Sequence, residues 1–336
     1  MSYSRHYKIK NSMIFSQNFY LIMKKIVFVI ILLLAVSRET CAQACCSAGT
    51  PMLGSLETST TAKNNMQLSL TYDYNVLKSV FEGSKKINDN TRERITHSAL
   101  LEVTYGITDK LSFTGLFTFA NQRRIITPND NTENLLSSSG LGDILILLKY
   151  ELLSQTLLNQ RQLAIGIGPK IPTGASDVTQ NGILLPADMQ PGSGSWDVVF
   201  WSYYSQGFMP TLPLNVFITA SYKLNTSNDR FSNSDAGYKF GNEFVSSIGA
   251  GYRTDTIFDY SFSLRFRTTS VDQFDDEDVP NTGGIWLYAL PGINIKVADG
   301  LVTRISGQIP IYRNLEGTQL TTTYTLSASL FYNYSF

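Results

Sequence analysis

The residue types that most often perform catalysis are scarce in this 336-residue chain, which has two histidines, His6 and His97. A serine nucleophile needs a base such as histidine within hydrogen-bond distance of its hydroxyl group. Ser98 follows His97 directly, but the residues around them alternate as in a strand, where adjacent side chains point to opposite faces. The two side chains therefore cannot act together, and the sequence predicts that the protein is not an enzyme.

Metal-ligating residues form no complete set. Cys45 and Cys46 are adjacent and have no histidine nearby, so they supply at most two of the four ligands of a structural zinc site. They are weak metal candidates; a disulfide or free thiol pair and a lipid-modified Cys45 are the alternatives. The acidic run 274–278 lacks the spacing of a helix-flanked calcium loop. We predict no metal site and no cofactor.

Charged residues are the remaining candidates for binding a ligand. Arg265 and Arg267 lie two residues apart, so in a strand they share one face, where two guanidinium groups can hold an anion. Asp143, Lys149 and Lys170 are further candidates, and a pairing of Asp143 with either lysine would be structural. Because both signs of charge occur on the same face of the predicted strands, ion pairs within the wall are the alternative to substrate binding.

These residues must be positioned by strands, and the clearest strand is the last one. Residues 324–336 carry an apolar or aromatic side chain at every even position. This period of two indicates a strand with one apolar and one polar face. An amphipathic final strand that ends in Phe336 resembles bacterial outer-membrane β-barrels, whose last strand is read by the barrel-assembly machinery. The resemblance implies outer-membrane lipid and that machinery as partners.

The same alternation predicts about twelve strands, each close to the ten or so residues that a tilted transmembrane strand needs. We expect them at 66–76, 97–107, 111–122, 140–151, 161–171, 196–207, 213–224, 240–253, 257–269, 284–297, 301–312 and 321–336. Short connections alternate with longer polar ones at 77–96, 123–139, 172–195, 225–239, 270–283 and 313–320. The predicted fold is an all-β, transmembrane, antiparallel up-and-down β-barrel.

The residues before the barrel are typical of an exported protein. Met23 is followed by two lysines, an apolar run and the small residues 42–44, so we interpret 23–44 as a signal peptide and 1–22 as an over-extended start. The segment 45–65 is small and polar, and is long enough to fold back as a plug of the barrel 66–336. Residues 1–42 hold six of the 27 basic and one of the 27 acidic residues, which leaves 21 against 26. This acidic balance argues against nucleic acid as a partner.

Four short motifs together resemble a known family. They are Gly-Leu-Gly-Asp at 140–143, Gly-Ile-Gly-Pro-Lys at 166–170, Ile-Pro-Thr-Gly at 171–174 and Gln-Pro-Gly-Ser-Gly-Ser at 190–195. In this order they resemble the outer-membrane barrel family labelled for the meta-pathway of phenol degradation, whose members are generally called transporters. The resemblance implies passage of small, often hydrophobic or aromatic compounds across the outer membrane of a Gram-negative bacterium.

The glycines of the second motif have a direct physical interpretation. Gly166 and Gly168 fall on the inward register of their strand, so the wall carries almost no side chain there and leaves room for a ligand or a neighbouring segment. Twelve strands lie between small barrels, which their own side chains fill, and large open porins. We therefore expect a channel or transporter for passive uptake of small solutes, either as a narrow pore or as a plugged barrel. The alternative is a structural or surface-binding barrel without transport.

Overall fold

The computed structural model describes residues 59–127, 134–156, 159–209, 211–231 and 236–336. The predicted over-extended start, the signal peptide and all but the last residues of the predicted plug lie outside these ranges. No helix in the described part of the chain is long and apolar enough to cross a membrane.

The described residues form strands connected by turns, with one 3-10 helix at Ala187–Met189. The strands are β1 Asn65–Gly83, β2 Lys85–Ile87, β3 Arg92–Gly106, β4 Leu111–Ile126, β5 Asn134–Leu141, β6 Ile144–Leu153, β7 Arg161–Ile171, β8 Thr179–Gln180, β9 Ile183–Leu184, β10 Asp197–Gly207, β11 Leu214–Leu224, β12 Ser227–Asn228, β13 Tyr238–Lys239, β14 Glu243–Tyr252, β15 Phe258–Thr269, β16 Gln273–Phe274, β17 Glu277–Asp278, β18 Gly284–Ala298 and β19 Leu301–Ser335.

The long strands close into a ring in which every pair is antiparallel. Neighbours follow the order β1, β3, β4, β6, β7, β10, β11, β14, β15, β18 and β19, and β19 pairs with β1 to close it. At the seam Asn65 lies opposite Ser335. A closed ring leaves no strand edge unpaired, and a sheet that spans a lipid bilayer must meet this condition.

Strand β19 contains two legs of the ring. Its first part, Leu301 to Leu315, pairs with β18, while its second part pairs with β1. Gly317 adopts a positive φ of 58°, a conformation that glycine reaches without steric cost. Across this turn the Arg313 guanidinium donates to the Thr322 carbonyl at 2.7 Å, and the Asn333 N–H donates to the Gly300 carbonyl at 2.9 Å. The chain therefore doubles back, and the ring of eleven elements has twelve legs, as predicted.

The strands are apolar on the outside and largely polar on the inside. On β4 the outward Phe113, Phe117 and Phe119 are each about 40% exposed, whereas the inward Ser112 and Thr114 are almost fully buried. Seven tyrosines at the end with the short turns also face outward, and each is more than a third exposed: Tyr105, Tyr150, Tyr204, Tyr252, Tyr260, Tyr332 and Tyr334. A band of exposed aromatic and aliphatic side chains around a polar interior is typical of a barrel surrounded by lipid.

The two ends of the barrel differ. We call the end with the short turns and the start of β1 the turn end, and the opposite end the loop end. Several segments predicted as loop-end connections are in large part strand: β1 runs on to Gly83, β3 begins at Arg92, β4 ends at Ile126 and β5 begins at Asn134. These parts were missed because their side chains no longer alternate between apolar and polar, although their backbones continue the ladder.

Candidate functional site

The described residues line at least three cavities inside the barrel, and these three share no lining residue. The cavity at the loop end has a volume of about 660 Å³, the central cavity about 150 Å³ and the cavity at the turn end about 880 Å³. The central cavity has the smallest volume of the three.

One side of the interior is filled by the protein's own side chains. The buried apolar cluster on β3, β4, β6, β7, β10 and β14 comprises Leu100, Leu116, Leu145, Leu147, Ala164, Val199, Trp201, Tyr203 and Val245. Trp201 stacks on Tyr203 with ring centroids 6.1 Å apart, and the Lys149 ammonium lies 4.5 Å from the centre of the Trp201 ring. Lys149 is also 3.6 Å from Glu102. Lys149 is therefore part of this filling and pairs with Glu102 rather than with Asp143.

The predicted gap at Gly166 is occupied by this cluster. Gly166 lies opposite Trp201 in the sheet, and a Cβ atom at Gly166 would come within 3.2 Å of the side chains of Trp201 and Lys149. At Gly168 a Cβ atom would lie 1.8 Å from the carbonyl oxygen of Ile146. Both glycines thus make room for a neighbouring segment, the second of the two possibilities that the sequence left open.

The other side of the interior is lined by small polar side chains around the central cavity. These come from β1, β15 and β19 and include Ser69, Thr71, Ser261, Ser263, Ser306, Ser327 and Ser329. The charged residues Asp73, Arg265 and Arg304 stand among them, and Glu102 of β3 also lines the cavity. Asp73 accepts a hydrogen bond from Ser327 at 2.5 Å, the Arg265 guanidinium donates to Gln308 at 2.7 Å, and that of Arg304 donates to Asn294 at 2.7 Å.

Arg265 and Arg267 share an inward face as predicted, but they have different neighbours. Arg265 lines the central cavity, whereas Arg267 forms an ion pair of 2.6 Å with Glu243 and lies 4.9 Å from the Trp286 ring. Glu243 also contacts Lys223 at 3.2 Å. Residues i and i+2 on a strand are almost 7 Å apart, so each arginine meets different residues of the adjacent strands. That both arginines bind one anion together stays a prediction, and this arrangement does not support it.

Asp143 and Lys170 meet in a buried ion cluster at the loop end of the filled side. The Lys170 ammonium is 2.8 Å from Asp143 and 2.6 Å from Asp197; the second contact is an ion pair outside hydrogen-bond geometry. Asp143 also accepts hydrogen bonds from the Ser193 N–H at 3.0 Å and the Gly174 N–H at 3.1 Å. This cluster joins β7, β10 and the junction of β5 with β6 to the connection 172–196, so the Asp143–Lys170 pair is structural.

The middle of that connection turns into the barrel. We call residues 185–195 the inward segment; its buried residues are Leu185, Ala187, Asp188, Met189, Gln190, Pro191, Gly192, Ser193 and Ser195. Asp188 contacts two arginines of the wall, with Arg94 Nη1 at 2.8 Å and Arg124 Nη2 on the same carboxylate oxygen. The Ser138 hydroxyl donates to the Met189 carbonyl at 2.6 Å. These contacts hold the inward segment against β3, β4 and β5.

Sequence reasoning missed Arg94, Arg124 and Asp188. The second strand was expected to begin at 97 and the third to end at 122, so both arginines fell into predicted connections. Two signals were present: both arginines continue the inward register of their strands, and Leu185 and Met189 place apolar side chains in a connection expected to be polar.

A small four-stranded sheet of β12, β13, β16 and β17 covers the loop end. Its residue Tyr238 belongs to a buried cluster with Phe240 and with Ala187 of the inward segment, and the partly buried Phe231 packs against this cluster. Asp272 accepts hydrogen bonds from the Tyr238 hydroxyl at 2.7 Å and the Gly241 N–H at 2.8 Å. Burial outweighs these two bonds and raises the pKa of Asp272 to about 6.

At the turn end the described chain begins inside the mouth of the barrel. The Thr60 hydroxyl donates to the inward Glu151 at 3.0 Å, and Gln162 donates to Thr60 at 3.3 Å. Most of the predicted plug, including Cys45 and Cys46, lies outside the described residues. Among those described, no group of three or more histidine, cysteine or acidic residues could hold a metal ion. His97 faces outward and its ring nitrogen is 2.6 Å from the Tyr72 hydroxyl.

The fold is similar to those of solved outer-membrane channels. The COG4313 outer membrane channel from Pseudomonas putida F1 superimposes with a TM-score of 0.66 at 14% identity, covering 85% of this chain and 100% of that one. A FadL homologue from Pseudomonas aeruginosa gives 0.44 at 9% identity, covering 87% and 98%. The CymD monoaromatic hydrocarbon channel gives 0.40 at 12% identity, covering 82% and 89%. No family model and no curated protein matches the sequence. The first similarity establishes the outer-membrane barrel fold, and at this identity it extends to the fold alone.

Proposed function

We propose that the protein is a passive channel in the outer membrane of a Gram-negative bacterium, and that it admits small solutes, including hydrophobic or aromatic ones. The observation that carries this proposal is the combination of an apolar outer band with three cavities inside a closed ring. Lipid surrounds the band, the loop end faces outward and the turn end faces the periplasm. The channel performs no catalysis.

The interior sets the size of the solute. The central cavity has a volume of about 150 Å³ and is bounded on the filled side by Leu100, Leu116 and Phe217, so it suits a small or thin molecule. The serines and threonines of this cavity offer weak hydrogen bonds, which suits passage better than tight binding. The larger loop-end cavity is walled mainly by apolar side chains, among them Phe231, Tyr238 and Phe274, and suits the first capture of a hydrophobic solute.

We further propose membership of the outer-membrane family labelled for the meta-pathway of phenol degradation. Its four motifs meet in space, because Asp143, Lys170, Gly174 and Ser193 each come from a different motif and Asp143 contacts the other three. This meeting supports the interpretation of the motifs as one unit. Phe336 is proposed to present the final strand to the barrel-assembly machinery, and 45–65 to continue from Thr60 into the lumen as a plug.

The test is single-channel recording of the refolded protein, from residue 44 onward, in planar bilayers. Small discrete conductance steps that phenol or benzoate reduces would support the channel. A folded, heat-modifiable barrel without conductance, and without faster entry of aromatic solutes into liposomes, would contradict it. That second outcome would favour the alternative function, a surface-binding barrel. The observation behind this alternative is that residues 185–195 lie inside the barrel.

A further inference from the structure

The wall of the loop-end cavity carries two arginines that meet one carboxylate. Arg94 and Arg124 are directly opposite each other on β3 and β4, and both guanidinium groups contact a single oxygen of Asp188. The side chains of Arg94 and Asp188 are 2% and 9% exposed, so the contact is shielded from water. Neighbouring strands fix the two guanidinium groups side by side, which is the arrangement that favours a carboxylate or another planar anion.

Asp188 reaches this place from a connection and not from the wall. It lies on the 3-10 helix Ala187–Met189, and the segment around it is fastened to β5 by the bond from Ser138 to the Met189 carbonyl. The carboxylate of Asp188 therefore occupies a position that the carboxylate of a free ligand could take, provided that the segment withdraws.

The rest of the same cavity is suited to an apolar group. Arg94, Arg124 and Asp188 line one part of it, while the side chains of Ile126, Phe231 and Phe274 line others. Its volume of about 660 Å³ is within the range of small-molecule sites. A molecule with one carboxylate and an aromatic or aliphatic body matches both parts at once.

The inward segment also lies where a solute must pass. On β4, Arg124 lines the loop-end cavity and Leu116 lines the central one. The inward residues between them, Thr118, Ala120 and Gln122, are buried, so protein fills the space between the two cavities along this wall. Release of Asp188 from the arginines would free one of the contacts that hold the segment there.

We propose that Arg94 and Arg124 form a binding site for amphipathic monocarboxylates, and that Asp188 fills this site as an internal substitute until a ligand replaces it. The inference rests on the proposed channel function and names the substrate class of its outer cavity. Exchange of one carboxylate for another leaves the net charge beside the two arginines unchanged, so a ligand does not have to bury a new unpaired charge.

The experiment is equilibrium dialysis of radiolabelled benzoate against the folded protein in a non-ionic detergent, at constant chloride, with benzamide as the uncharged ligand. We expect benzoate to bind about tenfold or more tightly than benzamide, because a charge-assisted pair replaces a neutral contact. Arg94→Gln and Arg124→Gln should each weaken benzoate binding by about tenfold or more, and Asp188→Asn should strengthen it by about tenfold since the competing carboxylate is removed. Arg161→Gln and Asp255→Asn, at the turn end, are the matched controls and should change it less than about twofold.

Folding of each variant is checked by heat-modifiable migration in gels. Equal binding of benzoate and benzamide to the unmodified protein would overturn the inference, as would a folded Asp188→Asn variant with unchanged affinity. If the substitution at Asp188 prevents folding, two measurements still test the inference. One is the comparison of benzoate with benzamide. The other is benzoate binding to the Arg124→Lys variant, which keeps the charge but loses the planar fork. Benzoate binding without any conductance would refute the channel and retain the site. Conductance without preference for benzoate would retain the channel and refute the site.

Discussion

Replacing Lys170 with methionine is expected to destabilise the barrel by about 3–5 kcal/mol, the cost of removing one partner from a buried ion pair. The Lys170 ammonium lies 2.8 Å from Asp143 and 2.6 Å from Asp197, and all three side chains are at most 1% exposed. Methionine fills a similar volume but leaves two carboxylates in the wall without their shared cation. Because β7, β10 and the junction of β5 with β6 all contribute, the loss should appear in unfolding of the whole barrel.

The matched control is Lys296→Met at the turn end. Lys296 forms an ion pair of 2.9 Å with Asp259, with side chains that are 37% and 19% exposed. Pairs that water reaches contribute about 0–1 kcal/mol, so this variant should be close to the unmodified protein. Urea unfolding in lipid vesicles, followed by tryptophan fluorescence, gives both free energies. Equal losses for the two variants would refute the argument from burial.

The cluster also holds the inward segment, since Ser193 donates two hydrogen bonds to Asp143, at 3.0 Å from its N–H and 2.7 Å from its hydroxyl. The folded fraction of Lys170→Met should therefore show faster amide hydrogen exchange at 185–195 than Lys296→Met does. Unchanged exchange in that segment would mean that the contacts of Asp188 and Met189 are sufficient to hold it.

Gly168→Ala should destabilise the barrel by about 1–3 kcal/mol or more, because its Cβ would lie 1.8 Å from the Ile146 carbonyl oxygen, whereas Gly251→Ala meets nothing within 4 Å; similar urea midpoints for the two would contradict this. The pKa of Asp272 is raised to about 6 from its ordinary 3.8, so the folded state binds a proton more tightly than the unfolded one. The four-stranded sheet at the loop end should be most stable below about pH 4, and its stability should decline as the pH rises to about 6. Hydrogen exchange corrected for pH measures this dependence, and Asp272→Asn should remove it. If the dependence on pH persists in the variant, another group causes it. Deletion of residues 47–62 should raise single-channel conductance if they plug the lumen, and unchanged conductance would reject the plug.

Much of the fold could be predicted because a barrel wall obeys a local rule. Each of the strands Leu214–Leu224, Phe258–Thr269 and Gly284–Ala298 begins and ends within a residue or two of its predicted bounds. The side chains alternate because one face of each strand contacts lipid and the other faces the polar interior of the barrel. Where the strands leave the apolar band, as β1 does towards Gly83, the rule no longer applies and the predicted bounds failed.

The candidate site was predicted only in part, for a reason that Arg265 and Lys149 illustrate. Sequence alternation placed both inside the barrel, which the structure confirms. It could not assign their partners, because Lys149 meets Glu102 and Trp201 from other strands, and Arg265 meets Gln308. The partners of an inward side chain depend on the stagger of neighbouring strands, which is a property of the assembled sheet.

By itself the sequence determined a closed, lipid-facing β-barrel with about twelve legs, since period-two alternation is a property of each strand alone. The tertiary structure decided what the interior contains. It placed Trp201 over Gly166, brought Asp143, Lys170 and Asp197 into one ion cluster, and turned residues 185–195 inward onto Arg94 and Arg124. These contacts join residues far apart in the chain, and their geometry exists only once the ring has closed and fixed the distances across it.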